Sequence, residues 1–305
     1  MVWAGSRHDG GETRAGSDWH FRLALPWRGR FYPDDLRQKD ELAYASAQFP
    51  TIEINGTFYS LQRPSSFAQW ADQTPRDFVF AVKGPRYITH MRRLRDVEGP
   101  LANFLASGVL RLGRKLGPLL WQFPPNFTFD PSRIEPFLRL LPHDTDAAHD
   151  MARHHERRMT GRVWLEEAPR RKLRHAMEIR HDSFVTADFI ALLRRYDVAL
   201  VCADTVEWPR LMDLTSDFVY CRLHGSEKLY ASGYDDKSLD RWALWVAAWA
   251  RGGAAQGGTY ASETAARSRA RRDVYVYFDN DMKVRAPRDA AALIGKVTKR
   301  LEPCG

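Results

Sequence analysis

Short, continuous apolar runs recur along this chain, and a segment of helical character fills almost every interval between them. The runs lie at 51–55, 78–83, 119–123, 175–180, 198–204, 218–224 and 274–279, with a weaker first candidate at 13–17. They are apolar throughout rather than alternating. Such strands are buried on both faces, which means a parallel sheet with helices outside it. The intervals carry the matching helix signals. Asp34-Asp35 precedes an amphipathic stretch at 36–49, Pro100 opens 101–112, and Pro131-Ser132 opens the run to Leu141. Further helical stretches fall at 188–196, 239–250 and 287–301. Eight βα units predict an α/β fold of one domain, a TIM-like (β/α)8 barrel with parallel strands. A length of 305 residues accommodates it, because about 250 residues make one such barrel. An open doubly wound sheet is the second choice. No G-x-G-x-x-G follows any strand, so no nucleotide cofactor motif supports it.

Around this barrel the sequence predicts a flexible N-terminal extension at 1–12, a domain at 13–303, and two insertions at 142–174 and 251–272. The first insertion is rich in Arg and His, and its middle, 161–167, could pair as a strand. The second is rich in Gly, Ala, Ser and Arg and reads as a disordered loop. His143, His149, His154 and His155 read as exposed. Trp242, Trp245 and Trp249, spaced at three and four, read as the buried stripe of a helix. Cys202, Cys221 and Cys304 form neither a disulfide framework nor a zinc spacing, which fits a reducing, cytoplasmic setting. The first 16 residues lack the apolar core of a signal peptide, and no apolar run approaches the ~18 residues of a membrane span, so no membrane partner is expected. The net charge of +8 comes from 37 Arg against 9 Lys. It permits a nucleic-acid partner, although an Arg-for-Lys bias also follows from genomic base composition.

The strands end polar. Side chains two apart on a strand share a face, which pairs Glu53 with Asn55, Glu178 with Arg180, Arg222 with His224, and Asp279 with Asp281. Lys83, Gln122 and Asp204 each end a strand singly. The C-terminal rim of a parallel barrel is where active sites are built. Polar groups on doubly buried strands must pair or face an opening, so this set is either a structural ion-pair rim or a site. As a site it offers three chemistries. Carboxylates with His224 could hold a divalent metal, against which the neighbouring cations would repel it. Lys83, Arg180 and Arg222 could hold a small phosphorylated or carboxylated substrate while Glu53 or Glu178 acts as acid or base, Asp204 and His224 orienting them or sharing the proton. Lys83 could form a Schiff base if Arg neighbours depressed its pKa. Asn55, Gln122, Asp279 and Asn280 would add hydrogen bonds. Tyr59 and Tyr87, with Trp19, Phe58, Phe123, Trp208, Tyr230 and Tyr234, could stack a sugar or base. The clusters Arg86 with Arg92-Arg93-Arg95, Arg157-Arg158 and Arg170-Arg171-Lys172 could meet phosphates.

Several segments, in order, resemble a known family. They are Trp27-Arg28-Gly29-Arg30-Phe31-Tyr32-Pro33, Thr51-Ile52-Glu53-Ile54-Asn55-Gly56-Thr57-Phe58-Tyr59, and Phe80-Ala81-Val82-Lys83-Gly84-Pro85-Arg86-Tyr87-Ile88-Thr89-His90. Leu116-Gly117-Pro118-Leu119-Leu120-Trp121-Gln122-Phe123-Pro124-Pro125 follows, then Ala176-Met177-Glu178-Ile179-Arg180-His181, Tyr220-Cys221-Arg222-Leu223-His224-Gly225 and Val276-Tyr277-Phe278-Asp279-Asn280-Asp281. These residues resemble the YecE-like family, domain of unknown function 72, over nearly the whole chain. The resemblance implies a TIM-like (β/α)8 barrel and no established reaction. It also implies, by fold analogy, a kinship with metal-dependent barrel enzymes such as endonuclease IV and sugar isomerases. The expectation is therefore an enzyme for a small anionic substrate at the C-terminal rim. The alternatives are a nucleic-acid-binding or nuclease-like protein and a non-catalytic binding barrel.

Overall fold

The parity of the strands builds two apolar cores, one inside the sheet and one outside it. The computed structural model describes residues 27–225, 233–280 and 285–302. Seven strands are β1 (Thr51–Ile54), β2 (Val79–Lys83), β3 (Leu116–Gln122), β4 (His175–Glu178), β5 (Val198–Asp204), β6 (Phe218–Leu223) and β7 (Asp273–Phe278). They pair in chain order, every neighbour parallel, as a nearly closed barrel. Across the seam, Thr51 Oγ1 of β1 lies 2.8 Å from the Tyr277 hydroxyl of β7. Inward-facing residues form one cluster, including Ala81, Leu120, Ala176, Val201, Tyr220 and Tyr277. Their outward neighbours, among them Phe80, Leu119, Trp121, Met177, Cys202, Cys221 and Phe278, join the larger core under the helices. Inside, small Ala and Val side chains alternate with the rings of Tyr220 and Tyr277, which suits a barrel whose interior is filled by side chains.

The helices are α1 (Glu41–Gln48), α2 (Gly56–Tyr59), α3 (Pro64–Asp72), α4 (Glu98–Ala106), α5 (Pro131–Leu140), α6 (Thr145–Arg153), α7 (Ala187–Arg195), α8 (Asp236–Ala250) and α9 (Ala286–Leu301). Side-chain caps start several of them: Asp130 accepts from the Ser132 amide, Thr186 from Phe189 and Asp235 from Ser238. Trp242, Trp245 and Trp249 on α8 are buried as the spacing predicts. The eighth strand expected at 13–17 lies outside the described residues.

The insertions depart from expectation. The first contains helix α6, capped by Asp144, and 161–167 pairs with no strand. His149 is buried against Trp164 rather than exposed, because it falls on the inner face of α6, and His143 and His155 are half-buried. The second insertion has no regular structure, but it is pinned rather than loose. Asp213 accepts from the amides of Ala261 and Ser262, Met212 donates to the Thr259 carbonyl, and Trp245 Nε1 donates to that of Gln256.

Where β2 ends, its backbone runs against β3. A Cβ added at Gly84 would stand 2.4 Å from the ring of Trp121, which is fully buried. Gly84→Ala is therefore expected to cost roughly 1–3 kcal/mol by overpacking. The check is the urea midpoint; an unchanged midpoint would show that the ring yields freely.

Candidate active site at the C-terminal mouth of the barrel

Counting inward positions by two to the strand ends gives Glu53, Lys83, Gln122, Glu178, Arg222 and Asp279, with Arg180 and His224 one step beyond. The structure gathers Glu53, Glu178 and Asp279 directly around the Arg222 guanidinium. Arg222 Nε and Nη2 donate to the two oxygens of Glu53 at 3.1 and 3.0 Å. Its Nη1 donates to Glu178 at 2.7 Å, and Nη2 also donates to Asp279 at 3.0 Å. The Tyr220 hydroxyl donates to Glu53 at 2.5 Å. All four charged groups are at most 3% exposed. Buried carboxylates require a counterion, and Arg222 serves three of them. Burial opposes ionisation of Glu178 and Asp279, but the charge of Arg222 outweighs it and holds both below the usual carboxylate range.

A second layer surrounds this hub. Arg180 donates to Glu178 Oε1 at 2.7 Å, lies over the Trp208 ring at 4.2 Å, and keeps 11% of its side chain exposed. His224 Nδ1 lies 3.2 Å from Asp279, its ring edge-on to Trp208. Burial lowers the pKa of His224, so the ring favours its neutral form. Thr57 Oγ1 donates to the Lys83 carbonyl at 2.6 Å and fixes the end of β2. The Lys83 ammonium sits 4.3 Å over the Phe58 ring, only 8% exposed, and among the described residues it has no ion-pair or hydrogen-bond partner. Burial lowers its pKa to about 8, with Arg222 and Arg180 pushing the same way against Glu53 and Glu178.

Not every expected residue joins this layer. Asp204 and Asn280 stand one position out of phase and face outward. Asp204 accepts from Trp242 Nε1 and Arg210 Nη1, at 3.1 and 2.8 Å. Asn280 donates to Asp289 of α9 at 2.9 Å. Asp204 instead lines a neighbouring cleft of about 360 Å³ with Asp182, Trp208 and Arg210. Asn55 is half-buried at the start of α2, and Tyr59 and Tyr87 are exposed, Tyr59 beneath Arg86 at 5.5 Å. Trp19, Tyr230 and Asp281 lie outside the described residues. Arg222, expected to hold an anion, has its donors committed to carboxylates.

One site residue was missed in the sequence. His90 sits on a π-helical turn, Tyr87–Met91, with Nε2 3.5 Å from the Gln122 amide nitrogen and Nδ1 2.8 Å from Thr89 Oγ1. Burial, then Lys83 and Arg180, lowers its pKa to about 4, so it is neutral at pH 7. Directly behind it, Arg93, Leu94 and Asp96 occupy the left-handed region, with φ of 49°, 65° and 47°. Strained backbone of this kind clusters at functional sites. The signal available was a histidine seven residues past the strand-end lysine, too far along the loop for strand parity to reach.

The donor set does not fit a metal ion. Among the described residues no group of three or more His, Cys, Asp or Glu side chains is arranged to hold one. The carboxylates converge on Arg222, whose charge occupies the centre a cation would need. The basic clusters are laced to acids: Arg92 to Asp96, Arg158 to Glu156, Arg170 to Asp144, and Lys172 to Asp197 and Asp217. No helix among the described residues is long and apolar enough to cross a membrane.

The fold is similar to solved structures. A DUF72 family protein from Thermotoga maritima superposes with a TM-score of 0.62 at 23% identity, covering 91% of this chain and 95% of that one. One from Enterococcus faecalis superposes with a TM-score of 0.59 at 17% identity, covering 84% and 88%. In sequence, the chain is 31% identical over 101 residues to UPF0759 protein YunF of Bacillus subtilis, 32% of this chain and 36% of that protein. It is 33% identical over 79 residues to UPF0759 protein YecE of Escherichia coli, 26% and 29%. These alignments span about a third of the curated relatives' length. The family model described as "Protein of unknown function DUF72" matches residues 18–304, and with that match, over a barrel of the same topology, the chain belongs to the DUF72 family.

Proposed function

We propose that this barrel is an enzyme that acts on a small anionic substrate, a phosphate or carboxylate, at the C-terminal mouth. The observation that carries this reading is the convergence of inward strand-end side chains around Arg222, with Lys83 beside them making no ion pair among the described residues. A rim built only for stability would pair every cation. Arg180 and Lys83 then form the anion contact, Trp208 and Phe58 the flat walls, and Gln122 a neutral hydrogen-bond donor. Glu178 is held as a carboxylate by Arg222, which suits it to stabilise developing positive charge. The imidazoles of His90 and His224 are neutral near pH 7 and so able to accept a proton there.

The test is binding of inorganic phosphate, followed by calorimetry at low salt. The parent is expected to bind, and Arg180→Met to bind at least about tenfold more weakly, the loss of one charge-assisted contact. Equal binding by a folded Arg180→Met protein would overturn the reading.

A further inference from the structure

Resting on that reading of the mouth as an anion site, we infer that Lys83 is a nucleophile. It forms an iminium with a small carbonyl compound that carries a carboxylate or phosphate close to the carbonyl carbon. Three features of the geometry point this way. The interior holds three carboxylates, yet none pairs with Lys83, because Arg222 and Arg180 take them. An amine that served only as a charge would be expected to lie on one of them. Next, the Nζ rests on the Phe58 ring, an apolar wall that removes water from the amine without accepting a proton from it. Last, the backbone is clamped at the Lys83 carbonyl by Thr57, so the side chain leaves a rigid strand end.

The environment also supplies free amine. With its pKa lowered to about 8, about a tenth of Lys83 is neutral at pH 7, against about one part in 3,000 for an ordinary lysine. The step balances with the groups present. The Nζ lone pair adds to the carbonyl carbon, and the C=O π pair moves to oxygen. That oxygen takes one proton from the nitrogen and a second through His90 or solvent, and leaves as water. The product is a protonated iminium, an electron sink for cleavage or deprotonation at the adjacent carbon. Arg180 lies where the substrate's anion would be held, and the carboxylates around Arg222 favour the added positive charge.

The experiment treats the full chain at pH 7 with glyoxylate, or in a parallel arm glycolaldehyde phosphate, and reduces with sodium borohydride. Peptide mapping then gives the adduct at each of the nine lysines. Lys83 is expected to carry at least about tenfold more adduct than any other, given its larger neutral fraction. The preferred arm distinguishes carboxylate from phosphate. Lys83→Arg keeps a charge and lacks the nucleophile, so it should lose the adduct whatever its phosphate affinity. Labelling of Lys83 no greater than that of surface lysines, with phosphate binding intact, overturns the iminium step alone. Absence of both overturns it together with the anion site. Should Lys83→Arg fail to fold, the labelling of the parent still decides.

Discussion

Replacing Arg222 with methionine is expected to cost this protein about 3–5 kcal/mol at neutral pH, the loss typical when one partner of a buried ion cluster is removed. Glu53, Glu178 and Asp279, all at most 3% exposed, would then lose the one guanidinium that all three bond, leaving Arg180 on Glu178 alone. The sign of the pH dependence makes the test specific. In the parent, Glu178 and Asp279 have folded pKa values below their unfolded ones. Their contribution is present above the unfolded values, near pH 4, and is lost as pH falls through the folded values. In Arg222→Met, burial acts with less opposition and raises both. The variant's deficit should therefore shrink at pH 5 and grow at pH 8. Denaturant titrations of both proteins at the two pH values measure it. A deficit under about 1 kcal/mol, or one that is flat with pH, would show that the hub is not what holds the mouth together.

The second large effect lies behind the sheet, away from the site. His175 faces outward from β4 and is fully buried. Its Nε2 donates to the Pro142 carbonyl at 2.7 Å, and its Nδ1 accepts from Trp121 Nε1 at 3.1 Å, an assignment set by these partners. A proton added at Nδ1 would meet the indole N–H head-on. Burial accordingly lowers this pKa to about 3. The unfolded chain, with histidine near 6.5, binds the proton first, so stability is complete above pH 6.5 and falls as pH drops from there towards 3. Roughly 3–5 kcal/mol should be lost across that window. His175→Gln, which can keep one donor and one acceptor without titrating, should flatten the slope. Identical slopes in parent and variant would assign the acid sensitivity elsewhere.

The sequence foretold the fold because one physical requirement repeats: a strand buried on both faces must be apolar throughout. All seven described strands overlap the runs read from the sequence, and 198–204 coincides with β5. The same requirement picked out the strand-end side chains that meet at the mouth, since a polar residue at the end of such a strand has to be paired or useful. It did not separate the two faces. Parity from Val201 leads to Ala203 rather than Asp204, and parity from Tyr277 leads to Asp279 rather than Asn280. Both misplaced residues are polar because they meet helices, Asp204 the indole of Trp242 and Asn280 the carboxylate of Asp289. Loops were less legible. His90 is placed by a π-turn with no periodic signature. The insertion at 251–272 reads as disordered from its Gly and Ala content, yet its backbone is held by Asp213, a residue nearly 50 positions earlier. Long-range side-chain to backbone bonds of this kind leave no local pattern.

The central claim is that the barrel mouth presents one buried, unpaired amine beside an anion contact. The most direct measurement is NMR of protein carrying ¹³C-labelled lysine, titrated with pH and then with inorganic phosphate. One resonance, lost in Lys83→Arg, should titrate near pH 8 and shift when phosphate is added. If the Lys83 resonance instead titrates near the ordinary lysine value of about 10.4 and ignores phosphate, the amine is an ordinary cation and the account of the site is contradicted.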